Sequence, residues 1–282
     1  MSQRKNPPKG LFITDFDGTL LRSDGTVSQR DRDALAMLTR HGVKTAIATG
    51  RTLNSFLDSP GADLAVDYII FTTGAAVVSK PGYELLYQVN LSADMVVGAL
   101  ERLADSSFDF MLHHAVPENH LYLYRRASNN NTDFESRINR RSEFGKVLES
   151  THINGFGEAA QFVVVVPPES TGAALGVLRQ EFSELSVVRA TSPLDHASSW
   201  IELFHPDVSK GKTAAWLTAE LGINHQNTIA IGNDYNDVDL LEWAAQSFVV
   251  GNAPGDLKNR FDTVCSNDEG GVAEAVERFL PL

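Results

Sequence analysis

Two carboxylates one residue apart, Asp15 and Asp17, follow the apolar run Leu11-Phe12-Ile13 and precede Gly18-Thr19-Leu20. Acids held so close repel each other unless a cation or a shared proton lies between them. A hard divalent cation with oxygen ligands, Mg²⁺ first, is their natural partner. A second group of oxygen-bearing side chains, Asn233-Asp234-Tyr235-Asn236-Asp237, follows the apolar run at 228–232 and reads as a cation site on the same grounds. Thr49, in Ala48-Thr49-Gly50-Arg51, stands between an apolar run and a helical pattern. Its hydroxyl and the backbone N–H groups beside it suit an anion, and the same threonine could simply cap the helix. Ser209 is a good N-cap, which places Lys210 in the first turn of a helix. A cation there opposes the helix dipole, so an anionic partner is expected opposite Lys210, whereas Lys212 reads as a surface lysine.

These residues need elements to hold them. Short apolar runs bounded by polar and Gly-rich sequence read as buried strands of a parallel sheet at 11–15, 43–48, 68–72 and 228–232. Helical patterns follow at 28–39, from 53, at 210–221 and at 271–279. The chemistry-bearing residues then sit where strands give way to loops, the edge where open α/β sheets bind ligands. Asp24-Gly25 is a hairpin signal. From about 83 to 205 the pattern changes to an α/β insertion large enough for its own core, with 161–166 its clearest strand. The expected organisation is a doubly wound core from residues 1–82 and 206–282, interrupted by a domain at 83–205. Within the insertion, Arg125, Arg126, Arg137, Arg140 and Arg141 form a basic cluster, either a solvated helix face or a contact for an anionic group. His113, His114 and His196 lack metal spacing, and Asn129-Asn130-Asn131 is a short polar loop.

At 282 residues the chain can bury a sizeable core. Its net charge of −12 argues against a general nucleic-acid or anionic-membrane binder. The single cysteine, Cys265, permits no internal disulfide, which suits a reducing cytoplasm. The polar stretch from Met1 to Lys9 has no signal-peptide character, and no apolar run is long enough to span a bilayer. A nucleotide-binding α/β protein is disfavoured, because no Gly-x-Gly-x-x-Gly turn and no Gly-x-x-x-x-Gly-Lys loop is present.

Asp15-x-Asp17-Gly18-Thr19-Leu20 would recur by chance in about one chain in ten thousand of this length. It resembles the first motif of the haloacid dehalogenase superfamily, mostly phosphatases. Ala48-Thr49-Gly50-Arg51, Ser209-Lys210-Gly211 and Gly232-Asn233-Asp234-Tyr235-Asn236-Asp237 resemble the second, third and fourth motifs, in the expected order. The insertion between the second and third resembles the C2-type cap of the Cof-like branch. Two positions depart from the pattern: Thr73 stands where Asn-Gly-Ala is usual, and Asn233 stands where an Asp ligates the metal, leaving the ligand open between Asn233 and Asp234. The resemblance implies an Mg²⁺-dependent phosphatase acting on a small phosphorylated metabolite, a sugar phosphate first. Asp15 would be the nucleophile and Asp17 the general acid and base. Thr49, Gly50 and Lys210 would bind the phosphoryl group. Asp15, Asp17, Asn233 or Asp234, and Asp237 would hold the metal, with Arg51, Thr73 and Asn236 in support and Arg51 either touching phosphate or bracing its loop. A phosphomutase, or a weakened member that only binds a phosphometabolite, stands as the alternative.

Overall fold

The alternation of apolar runs with helical stretches produces an α/β protein. The computed structural model describes residues 8–128, 130–149 and 155–280; the start through Pro7, and Asn129 of the polar loop, lie outside them. The chain begins with β1 (Gly10–Asp15), α1 (Gln29–Arg40), β2 (Val43–Ala48), α2 (Leu53–Leu57), β3 (Tyr68–Phe71), β4 (Ala76–Ser79) and β5 (Leu85–Gln88). It continues with α3 (Ala93–Ala104), β6 (Asp109–His114), β7 (Tyr122–Arg125), α4 (Thr132–Arg140), β8 (Gly145–Val147), β9 (Ala159–Val166), α5 (Thr171–Glu181), β10 (Ser186–Thr191) and β11 (Ser199–Phe204). It closes with α6 (Lys210–Glu220), β12 (Thr228–Gly232), α7 (Val238–Trp243), β13 (Gln246–Val249), α8 (Gly255–Lys258), β14 (Asp262–Thr263) and α9 (Gly271–Phe279). Two compact units result, one from residues up to 87 and from 209 onward, the other from residues 88–208.

The first unit holds an eight-stranded sheet in the order β14-β13-β12-β1-β2-β3-β4-β5. β1 lies between β12 and β2, parallel to both, and is buried along its whole length. A strand covered on both faces has to be apolar at nearly every position, which Leu11, Phe12 and Ile13 satisfy. On one face, Leu11, Ile13, Ala46, Ala48 and Ile70 pack against Ala214, Leu217, Leu240 and Leu241 of α6 and α7. Elsewhere in this unit α1 packs with α9, and Asp31 of α1 accepts a hydrogen bond of 2.9 Å from Ala273 N. The strand read at 84–89 is β5, an edge of this sheet. At Asp24-Gly25 a turn closes through Arg22 N donating to Thr26 O at 2.8 Å, without flanking strands, since Ser23 is drawn aside to Asp268.

The second unit is a six-stranded sheet, β10-β11-β9-β6-β7-β8, antiparallel except for β7 with β8. Phe110, Leu112, Phe162, Val164, Ile201 and Leu203 face α3 and α5. On the other face Met111, Val163 and Val165 cluster with Phe134 and Ile138 of α4. The strand at the centre, β9, is buried at all eight positions.

Candidate active site

Parallel pairing aligns the carboxyl ends of β1, β2 and β12 on one edge of the first sheet. Asp15, the last residue of β1, is buried there. The chain then turns tightly, with Phe16 O accepting from Thr19 N, Leu20 N and Leu21 N. Phe16 itself is buried against Phe56, ring centroids 5.2 Å apart, and anchors the turn from below. At the end of β2, Thr49 is buried, and its Oγ1 accepts from Arg51 N at 3.1 Å. The cap of α2 is Thr52, which accepts from Ser55 N, so Thr49 keeps its place at the strand end. After β3 the turn Thr72-Thr73-Gly74 packs on the start of α6, and Thr213 Oγ1 donates to Gly74 O at 2.7 Å.

Lys210 joins these parts. Ser209 caps α6 by accepting from Lys212 N, and Lys210 opens the helix with no solvent exposure. Its ammonium donates to Asp15 Oδ1 at 2.7 Å and to Asp237 Oδ1 at 2.6 Å. The other oxygen of Asp237 accepts from Asn233 N at 2.9 Å and Asp234 N at 3.1 Å, which fixes the loop after β12. Burial and the nearby Asp237 push the Asp15 carboxyl up to about 7, against the pull of Lys210. Burial alone would lower the Lys210 pKa, but Asp15 and Asp237 outweigh it and keep the ammonium charged. Asp17 is gripped differently: Arg51 Nε and Nη2 donate to its two oxygens at 2.8 and 2.7 Å. Arg51 also reaches Ser55 O at 3.3 Å, and its guanidinium lies 5.3 Å from the centre of the Phe16 ring.

The oxygens at this edge fit a small hard cation. The outer atom of the Asn233 amide lies 3.1 Å from Asp15 Oδ2, 3.1 Å from Asp17 O and 3.1 Å from Thr19 Oγ1. Ligand oxygens about 3 Å apart span adjacent corners of an octahedron with bonds of about 2.1 Å, the geometry Mg²⁺ demands. Asp15, the Asp17 carbonyl and the Asn233 amide oxygen are therefore the groups that could hold it. Among the described residues no three His, Cys, Asp or Glu side chains converge as a cage; here a backbone carbonyl and an amide complete the set. Asp234 takes another part, its side chain accepting from the Asp237 backbone N–H in a capping box. Asp237 is committed to Lys210 and the loop N–H groups. A Cβ built on Gly50 would lie 3.5 Å from Thr73 Oγ1 and 3.8 Å from Asn236 Nδ2, so both side chains border that glycine.

The profile of the haloacid dehalogenase-like hydrolase family matches residues 12–276. The chain belongs to this family. Relatives of this hydrolase include the putative phosphatase YxeH of Bacillus subtilis, 26% identical over 281 residues that cover 96% of this chain and 98% of the relative. The 5-amino-6-(5-phospho-D-ribitylamino)uracil phosphatase YcsE of Bacillus subtilis is 25% identical over 283 residues, with 99% and 98% coverage. Among solved structures, the phosphatase BT1666 of Bacteroides thetaiotaomicron matches with a TM-score of 0.78 at 22% identity, over 99% of this chain and 98% of that one. The subclass IIB sugar phosphatase BT4131 matches with a TM-score of 0.75 at 19% identity, over 96% and 99%. These two likenesses speak to the fold.

Two contributors to the hydrolase's site, Thr19 and Asp239, carried no role of their own in the sequence reading, whereas Asn252 lies in the Gly251-Asn252-Ala253 segment that resembles the family's loop bordering the active site. Thr19 meets the Asn233 amide. Asp239 accepts from Gly211 N at 2.8 Å and so steadies the turn that bears Lys210; the Asp-x-Asp spacing at 237 and 239 was its signal. Asn252 donates to Gly18 O at 2.8 Å, tying the loop after β13 to the first motif. Four of the five cluster arginines, Arg125, Arg126, Arg137 and Arg141, are engaged locally. Arg125 donates to Leu103 O and Ser106 O, Arg126 pairs with Glu135, and Arg137 lies 3.7 Å from the Trp200 ring centre with its Nε on Met111 Sδ. Arg141 stacks toward Phe144.

Proposed function

We propose that this phosphatase hydrolyses a small phosphate monoester, a sugar phosphate or similar polyol phosphate, in two in-line transfers through Asp15. One arrangement supports the reading: a buried carboxylate at a strand end, held by a buried lysine, with a second carboxylate two residues on. In the first transfer an oxygen of Asp15 bonds to phosphorus as the bond to the leaving oxygen breaks, giving an aspartyl-phosphate. Asp17 supplies the proton that the leaving alkoxide takes. In the second, Asp17 as carboxylate takes a proton from water, whose oxygen attacks phosphorus and returns Asp15 and inorganic phosphate. Arg51 grips both oxygens of Asp17, so Asp17 has to part from Arg51 to reach the leaving oxygen in the first transfer. Lys210 and the hydroxyl of Thr49 offset charge on the phosphoryl oxygens. Mg²⁺, held by Asp15, the Asp17 carbonyl and Asn233, would add positive charge against the same oxygens. The inserted unit of residues 88–208 would choose the leaving group.

The test is phosphate release from a panel of sugar phosphates and an aryl phosphate, with Mg²⁺ and with chelator, for wild type and Asp15→Asn. Metal-dependent release that the variant abolishes is expected. Release undiminished in Asp15→Asn would remove the nucleophile assignment, and isomerised product without free phosphate would favour a mutase.

A further inference from the structure

Asn233, one of the two positions that depart from the family pattern, has surroundings that admit two opposite polarities. With no cation between them, Asp15 Oδ2 and Asp17 O are acceptors facing the outer atom of the Asn233 amide. An oxygen there would meet only repulsion from the Asp17 carbonyl and from an ionised Asp15. A nitrogen there offers two protons to three oxygens, each at 3.1 Å. With a divalent cation among the same groups the preference inverts, and only the amide oxygen serves. Thr19 suits either state, because its hydroxyl can donate to the amide oxygen or turn and accept from the nitrogen. The amide is also confined from behind: Gly18, at φ +75°, brings its backbone so close that a Cβ would lie 2.7 Å from the amide's other end. The backbone of Asn233 is held by Asp237, itself held by Lys210, so its position is set by protein groups alone.

We propose that Asn233 is a two-position group. Its nitrogen bridges Asp15 and the Asp17 carbonyl when no cation is bound, and a half-turn of the amide presents its oxygen when Mg²⁺ enters. This rests on the phosphatase reading only for the identity of the cation. An aspartate could fill the second role and not the first. The chain thus gives up one negative charge toward the cation, and with it affinity. In return it gains a site that stays assembled without the metal.

The experiment needs no turnover. Wild type, Asn233→Asp and Asn233→Ala are melted in chelator and in saturating MgCl₂, and Mg²⁺ is titrated calorimetrically without substrate. In chelator at pH 8.5 Asn233→Asp is expected to melt below wild type, because a further carboxylate would face Asp15 and the Asp17 carbonyl. With Mg²⁺ the order should reverse, with affinity raised about tenfold or more. Asn233→Ala should lose both the chelator stability and the Mg²⁺ affinity. A direct readout is the side-chain NH₂ pair of ¹⁵N-labelled wild type, protected from exchange in chelator and released on adding Mg²⁺. The proposal is overturned if Asn233→Asp is as stable as wild type in chelator at pH 8.5, or if its Mg²⁺ affinity is unchanged. Exchange of the amide protons that ignores Mg²⁺ would also overturn it, even if a variant fails to fold. Absence of phosphate release from every panel compound would count against the proposed activity and leave these readouts standing.

Discussion

Lys210 is the group on which the site's electrostatics turn, and Lys210→Met removes its charge while keeping most of its stem. Its ammonium has no solvent exposure and makes charge-assisted hydrogen bonds of 2.7 and 2.6 Å to two acids. Removing one partner of a buried ion pair costs about 3–5 kcal/mol. The variant can limit that loss by taking up a proton. Asp15 already titrates at about 7 with Lys210 present, and without the ammonium its carboxyl rises further. A folded-state value above the unfolded one means that the folded chain binds the extra proton, so stability falls as pH rises through that value. At pH 6 Asp15 is protonated in both proteins and the difference is smallest. Above about 7 the wild type sheds the proton and the variant keeps it, so the difference grows by about 1.4 kcal/mol per pH unit until the variant also titrates. Urea denaturation in chelator at pH 6, 7 and 8.5 reads this directly, and phosphate release should fall at least about a thousandfold. A loss below about 1 kcal/mol at pH 8.5, or a loss equal at pH 6 and 8.5, would refute the reasoning.

Three further outcomes follow from other parts of the molecule. Gly74→Ala should destabilise by more than about 2 kcal/mol in thermal melts, since φ is +103° and a Cβ would lie 2.4 Å from the Ser209 carbonyl oxygen. Thr73→Asn should stabilise by about 1 kcal/mol in urea, because a β-branched residue at φ +54° is strained where asparagine is tolerated; no gain would mean the turn holds threonine without strain. His113 is buried and donates from Nδ1 to Asn119 O, while its Nε2 finds no hydrogen-bond partner among the described residues. Burial depresses its pKa to about 3, so the neutral ring's contribution is complete above about 6.5 and is lost as pH falls toward 3. Between pH 6.5 and 5 wild type should therefore lose about 2 kcal/mol more than His113→Gln; parallel curves would exclude this residue as the source.

Much of this was legible because the strand ends are punctuated. Apolar runs that stop at Asp15, Thr49 and Gly232 announce both the parallel sheet and the edge that gathers its polar residues. The choice between Asn233 and Asp234 was not legible, because the capping box with Asp237 turns Asp234 away, and that depends on the dihedral angles of one short turn. Arg51 could have served phosphate or its loop, and only the position of the loop after β1 brings Asp17 into its fork. In the second unit, Arg137 stacks on Trp200, which is 63 residues away in sequence and is brought near by strand pairing. The run at 84–89 was apolar enough for a strand, but nothing local says which sheet a strand joins.

The place of β1 between β2 and β12 also has a bearing on synthesis. The strand that carries Asp15 receives its second neighbour only when residues 228–232 have been made. Until then it is a raw sheet edge, open to pairing with another chain. Residues 88–208, by contrast, form one uninterrupted segment with its own core and can condense while the remainder is still being translated. Lys210, Asn233 and Asp237 all arrive with the last stretch. A growing chain therefore carries Asp15 and Asp17 early and acquires the groups that organise them later, so the making of β12 turns the edge of β1 from hazard to interior.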